Sequence, residues 1–172
     1  NKFFWTAYCD DYLEVIKGKT AALFAAASEL GAVVSDQPHH QENLRQFGMN
    51  LGIAFQLVDD ALDYAANQKE LGKTIGDDFR EGKITLPVIL AYQMGNPEEK
   101  AFFDRTLSDL DQQEGDLEHA MQIISRLNTI ALTFERAHAF AEMARASLKP
   151  FPSSAIKSAL EETIDFCVDR AY

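Results

Sequence analysis

The 172-residue sequence has only two cysteines, Cys9 and Cys167, one near each end. Such a pair has no metal-ligand spacing and cannot build a disulfide framework, so the expected compartment is the reducing cytoplasm. Basic residues are also scarce. Sixteen Lys and Arg against 27 Asp and Glu leave a net charge of -11, with no basic run. That balance speaks against nucleic acid and against an anionic membrane surface as partners. Long hydrophobic runs are missing too. The most apolar stretch, residues 20–34, is interrupted by Ser28 and Glu29, too short to span a bilayer, so no transmembrane segment is expected. There is no internal repeat, no low-complexity segment and no strand-like alternation. No signal peptide is visible, and Asn1 with Phe3, Phe4 and Trp5 reads as a cut through a longer chain.

What remains is helical signal on a 47% hydrophobic chain, enough for one sizeable core and one expected domain over residues 1–172. Residues 4–17 and 19–34 read as two helical pieces meeting at Lys17-Gly18-Lys19, with the glycine as a kink. After a break at Ser35-Asp36-Gln37-Pro38, a long helix is predicted from about Gln41 to Tyr64, with Leu44, Phe47, Leu51, Phe55, Val58 and Leu62 at helical spacing. Residues 65–82 hold three glycines among charges and read as loop with one turn of helix. Helix resumes behind Thr85, a suitable N-cap with Pro87 in the first turn. Asn96-Pro97-Glu98-Glu99 is a further start, and helices are expected near 115–128, 130–148 and 153–170. The fold class is all-α, a helical bundle.

The long helix carries the chemistry. Asp59 and Asp63 are four apart and Asp60 and Asp63 three apart, so the three project from one side, with Gln56 and Gly52 at one-turn intervals before them. Carboxylates this close repel one another unless cations or solvent relieve them. Hard oxygen ligands of this kind suit Mg²⁺, which keeps several waters and bridges carboxylates to phosphates. The plain alternative is a solvated acidic helix face. Against it stands the apolar setting of the trio, Phe55 to Tyr64 (FQLVDDALDY). Downstream, Lys73 and Lys83 sit on glycine-bearing turns where they could reach phosphate oxygens, though the order is not that of a P-loop. Upstream, Lys19-Thr20 places a cation and a hydroxyl on an otherwise apolar helix, where an outward-snorkelling lysine is the bland reading.

Four segments in this order, YLEVIKGKTAALFAAASELGA, FQLVDDALDY, LGKTIGDD and EGKITLPVI, resemble the trans-polyprenyl diphosphate synthases, closely over about residues 8–95. The wording is most similar to the bacterial long-chain octaprenyl and decaprenyl branch of quinone side-chain synthesis. The resemblance implies an isoprenoid-synthase bundle, a homodimer, and two substrates, an allylic diphosphate and isopentenyl diphosphate. It also implies that Asp59, Asp60 and Asp63 hold Mg²⁺ against the allylic diphosphate, with Asp78 as a supporting position. Lys19 and Thr20 would lie beside that diphosphate and Gln56 near the reacting tails. Lys73 would bind diphosphate, with Lys83 in support. Mg²⁺ and cations then stabilise departing diphosphate, isopentenyl diphosphate attacks the allylic cation, and a proton is lost.

A complete family member carries another aspartate-rich motif and arginines upstream, and Asp10-Asp11 does not substitute for them. The expectation is therefore the C-terminal half of the fold, inactive alone, either as a fragment or as one of two polypeptides. A non-catalytic partner subunit would not need the acidic cluster and Lys73. A terpene cyclase would need a second metal motif of the N-D-x-x-S-x-x-x-E type, which is absent. A helical interaction module would require all four segments to be coincidence. His39-His40 reads as solvent-exposed, and His119 and His138 receive no role. Asp109 to Glu118 reads as a solvated charged stretch. Phe102, Phe103, Phe134, Phe140, Phe151 and Phe166 read as packing residues.

Overall fold

A computed structural model describes residues 11–65 and 75–169. Among these residues the chain is helical with no strand, in agreement with the all-α reading. The helices are α1 (Ala22–Val34), α2 (Gln41–Asp63), α3 (Asp77–Arg80), α4 (Leu86–Met94), α5 (Pro97–Phe103), α6 (Asp116–Arg126), α7 (Thr129–Ser147) and α8 (Ala155–Asp169). They gather into two compact units. One takes Asp59–Thr133 together with Tyr12; the other takes Leu13–Val58 with the chain from Phe134 onward.

In the second unit the two helical pieces expected on either side of Gly18 form one continuous run that leads into α1. Residues 11–16 are already helical and run into it through a π turn, Lys17–Ala21. The reason is phase. Ile16, Ala21 and Ala25 are all buried, at spacings of five and then four. A turn closed from i to i+5 absorbs the extra residue and keeps the three on one side. A Cβ on Gly18 would have open space around it, so the position needs no glycine for separation or for backbone conformation. The chain leaves α1 through Asp36, whose φ of 53° lies in the left-handed region, and a short 3-10 turn, Pro38–His40.

From that turn α2 runs to Asp63 and buries Phe47, Leu51, Ile53, Ala54 and Leu57 within the same unit. Two glycines let it lie against α1 and the π turn. A Cβ on Gly48 would stand 2.2 Å from the Phe24 carbonyl oxygen, and one on Gly52 2.6 Å from Ala21 Cα. Small residues continue the theme on α7, where Ala137, Ala141 and Ala144 are buried above Leu148. An apolar cavity of about 440 Å³ lies in this unit, bounded among others by Leu44, Phe47, Leu148, Phe151 and Leu160. His40 is half-buried rather than exposed, its ring 4.4 Å from that of Phe151. Phe166, by contrast, is 72% exposed on α8 and is no packing residue in this chain.

The first unit is built around α4. Its residues Leu86 to Tyr92 are all buried, so the helix is apolar on every side and sits in the core. Thr85 is its N-cap in backbone geometry, yet its buried hydroxyl makes no cap hydrogen bond. The start at Asn96 is as read: Asn96 Oδ1 accepts from Glu99 N, and Glu99 Oε2 accepts from Asn96 N, both at 2.9 Å. The stretch Asp109 to Glu118 is not wholly solvated. Asp116 is buried and accepts two hydrogen bonds from the Arg105 guanidinium, at 2.9 and 2.8 Å. His119 packs edge-on against Phe102.

Candidate active site

The last turn of α2 carries Asp59, Asp60 and Asp63 into the first unit, and their surroundings diverge. Asp59 is exposed, Asp63 is half-buried and Asp60 is only 4% exposed. Helical spacing puts three carboxylates near one another, but adjacent residues are about 100° apart around the axis, which is enough to send Asp60 inward. A buried carboxylate needs a partner. Tyr12, itself buried, supplies one: its hydroxyl donates to Asp60 Oδ2 at 2.5 Å. Burial first, and the Asp60 charge second, push the Tyr12 phenol well above its ordinary pKa, so it stays protonated and able to donate.

Asp63 is tied to the chain that follows the acidic helix. Its carbonyl accepts from Gly76 N at 2.8 Å, and its Oδ2 accepts from Asp78 N at 3.1 Å at the start of α3. Gly76 is suited to this corner, with a φ of 78° and its Cα side closed by Leu117. Burial pushes the Asp63 carboxyl up to about 6, the negative charges of Asp78 and Asp77 add to the rise, and the two backbone N–H groups oppose it. Lys83 faces this cluster. Its Nζ lies 2.6 Å from Glu81 Oε2 and 3.1 Å from Asp78 Oδ1, and these hydrogen bonds raise the ammonium pKa. Lys83 thus stands on carboxylates within its own loop, and Asp78 is paired to it.

Gly76→Ala should lower the stability of the chain by roughly 1–3 kcal/mol, since a Cβ there is disfavoured by the left-handed backbone and would meet Leu117 Cδ1 at 2.4 Å. Urea denaturation would measure it, and an unchanged midpoint would contradict the account of this corner.

The other predicted residues fall in the second unit or outside the described residues. Lys19 is exposed on the π turn. Its neighbour Thr20 donates from Oγ1 to Gln56 Oε1 at 2.8 Å, across the pair of helices that the glycines hold together. The Phe24 and Phe55 rings lie 5.7 Å apart beside them. Lys73 lies outside the described residues. Among the described residues no three acidic, histidine or cysteine side chains form a ready-made metal cage. Tyr12 is the participant that motif reading passed over. It stands inside the first quoted segment, but its partner is 48 residues away and no local spacing points to it.

The described residues are helical, and solved polyprenyl synthases share this fold, which places the chain in the all-α class of the isoprenoid synthases. The chain belongs to the polyprenyl synthetase family, which it matches over residues 4–124. It is 36% identical over 161 residues to the all-trans-nonaprenyl-diphosphate synthase (geranyl-diphosphate specific) of Rhodobacter capsulatus, covering 94% of this chain and 49% of that protein. It is 35% identical to the octaprenyl diphosphate synthase of Escherichia coli K12, covering 94% of this chain and 50% of that one. Among solved structures, a decaprenyl diphosphate synthase from Rhodobacter capsulatus superposes with a TM-score of 0.88 at 43% identity, over 95% of this chain and 50% of its own. A polyprenyl synthase from Caulobacter crescentus CB15, complexed with calcium and isoprenyl diphosphate, gives 0.86 at 46% identity, over 94% of this chain and 49% of its own. The chain therefore spans about half the length of the relatives it matches. Among the described residues no helix is long and apolar enough to cross a membrane.

Proposed function

We propose that this chain contributes the acidic, diphosphate-handling part of a polyprenyl diphosphate synthase that joins isopentenyl diphosphate to an allylic diphosphate. The observation that carries the reading is the state of the acids around Asp63. An exposed Asp59 stands at the same helix end as a carboxyl held up to about 6 by burial and by Asp78 and Asp77. That is a site with more negative charge than its neighbouring cations, Lys83 on Asp78 and Arg80 on Asp77, relieve. The donor set is all carboxylate oxygen, which fits a hard divalent cation such as Mg²⁺. Asp59 and Asp63 would hold it most directly, with Asp78 in support and Asp60 set from behind by Tyr12. When bound, the cation neutralises charge gathering on the departing diphosphate. The relative from Caulobacter crescentus, with calcium and isoprenyl diphosphate, supports this reading.

The chain's own groups then have separable tasks. Lys19, Lys73 and Lys83 are proposed as cationic contacts for diphosphate oxygens, with Lys83 leaving or sharing its carboxylates to do so. Thr20 and Gln56 are proposed beside the diphosphate and the reacting carbons, where a hydroxyl fixed on an amide presents a defined dipole to a developing cation. Long-chain products for quinone side chains, a homodimer and a cytoplasmic location complete the proposal. Leu23, Leu30, Val33 and Val34, exposed on α1, support a packing partner there.

The Asp63 carboxyl gives a test with a definite sign. Its folded pKa lies above its ordinary 3.8, so the folded chain binds the proton more tightly. Stability is therefore lost as pH rises from about 3.8 to about 6, and the full penalty is present above that window. Asp63→Asn, which keeps an acceptor for Asp78 N, should raise the thermal midpoint of the metal-free chain at pH 7 and leave it unchanged at pH 4. Millimolar Mg²⁺ should stabilise the unsubstituted chain more at pH 7 than at pH 5, and stabilise Asp63→Asn less. Equal Mg²⁺ effects on both chains at pH 7 would remove Asp63 from the metal site.

A further inference from the structure

The Thr20–Gln56 hydrogen bond joins residues 36 apart, on two helices whose spacing is set elsewhere. Both partners sit beside a close approach of the helices. Thr20 precedes Ala21, the residue whose Cα would lie 2.6 Å from a Cβ on Gly52, and Gly52 is one turn before Gln56. One turn earlier on α2, Gly48 meets the Phe24 carbonyl in the same way, at 2.2 Å, with Ser28 Oγ at 2.7 Å. The nearest contact at each glycine, the Phe24 carbonyl and Ala21 Cα, is with backbone, which cannot rotate aside as a flexible side chain can. Any Cβ at either glycine must push the helices apart by a few tenths of an ångström to an ångström. A 2.8 Å hydrogen bond tolerates little of that, because the interaction is weak beyond about 3.5 Å. The π turn adds a second constraint. It brings Ala21 into the buried phase set by Ile16 and Ala25, and Thr20 travels with it. Single-turn π segments inside α-helices occur frequently at functional sites.

We infer that Gly52, backed by Gly48, is a positioning residue: it sets the distance between α2 and the π turn at which the Thr20 hydroxyl reaches the Gln56 amide. Glycine is required there for separation, since neither residue has a positive φ. This inference rests on the proposed place of Thr20 and Gln56 beside the substrate, but the hydrogen bond can be read without any activity.

The experiment is a nuclear magnetic resonance comparison of the side-chain amide of Gln56 in the ¹⁵N-labelled chain. Thr20→Val gives the reference shift for a lost hydroxyl. Gly52→Ala should move the Gln56 amide in the same direction, by at least half as much, while the Ile123 amide stays in place. Adding Ala21→Gly to Gly52→Ala removes the Ala21 Cβ contact of 3.0 Å and should return the Gln56 amide part of the way. If Gly52→Ala alone does not fold, the double variant carries the measurement, and it should still differ from the unsubstituted chain. A folded Gly52→Ala, or double variant, with an unmoved Gln56 amide would overturn the inference. A second arm uses a chimera in which the Caulobacter crescentus relative supplies the other half of the fold. There Gly52→Ala should lower kcat at least tenfold, Thr20→Val should do likewise, and the combination should be no worse than either. Fully multiplied losses would also overturn the inference. An inactive unsubstituted chimera would count against the proposed function alone, leaving the amide shifts to decide on Gly52.

Discussion

Asp59→Ala should reduce prenyl transfer by a factor of about 100–1,000 or more, in the chimera described above, with little change in the urea midpoint. The two halves of that expectation have one cause. Asp59 is exposed, so truncating it uncovers no apolar surface and strands no buried group. Under the proposed function its contribution would come when charge gathers on the diphosphate, which is when an oriented carboxylate and its cation would act. The assay is incorporation of labelled isopentenyl diphosphate with saturating Mg²⁺. Lys73→Ala should lose comparable activity through the other partner of the diphosphate, by the family resemblance. Near-wild-type turnover for Asp59→Ala would remove the aspartate-rich helix end from the chemistry. A large fall in stability would show instead that Asp59 is structural.

The reverse profile is expected for the neighbouring position. Tyr12→Phe should destabilise the chain by about 1–3 kcal/mol, because the buried Asp60 carboxylate loses the hydroxyl that donates to it at 2.5 Å. Breaking a buried charged pair from one side costs more than removing both partners. Tyr12→Phe combined with Asp60→Ala should therefore be less destabilised than the sum of the single changes. Urea denaturation of the four chains closes the cycle. Additive losses would mean that Tyr12 and Asp60 do not act as a pair. Non-additive losses would separate two adjacent aspartates of one motif, Asp59 acting in turnover and Asp60 in placement of the helix end.

Much of this is legible in the sequence. The Asn96-Pro97-Glu98-Glu99 start follows from local hydrogen-bond supply and demand, and it is present as a reciprocal cap. The break before Gln41 and the extent of α2 follow from proline and from apolar spacing, both local properties. The readings that the structure refines, at α1 and Phe166 among others, have physical reasons. Gly18 marked a joint between two helical pieces, and the structure places there a π turn that meets the demand for phase between Ile16 and Ala21, which no single residue announces. Phe166 is apolar on an amphipathic helix, and sequence cannot say which apolar side has a neighbour in this chain.

The sequence by itself determined the helical class, the family, and the acids and cations that the proposed chemistry needs, because these depend on residue type, order and spacing along one chain. Only the tertiary structure decided how those residues are divided. Helical periodicity places Asp59, Asp60 and Asp63 near one another, but it does not reveal that Tyr12 waits for Asp60, or that the start of α3 takes up Asp63. Nor does it show that Thr20 meets Gln56 because two glycines let the helices touch. Each of these facts depends on what lies opposite a side chain across the packing. That neighbour comes from a distant part of the chain, whose position only long-range packing fixes.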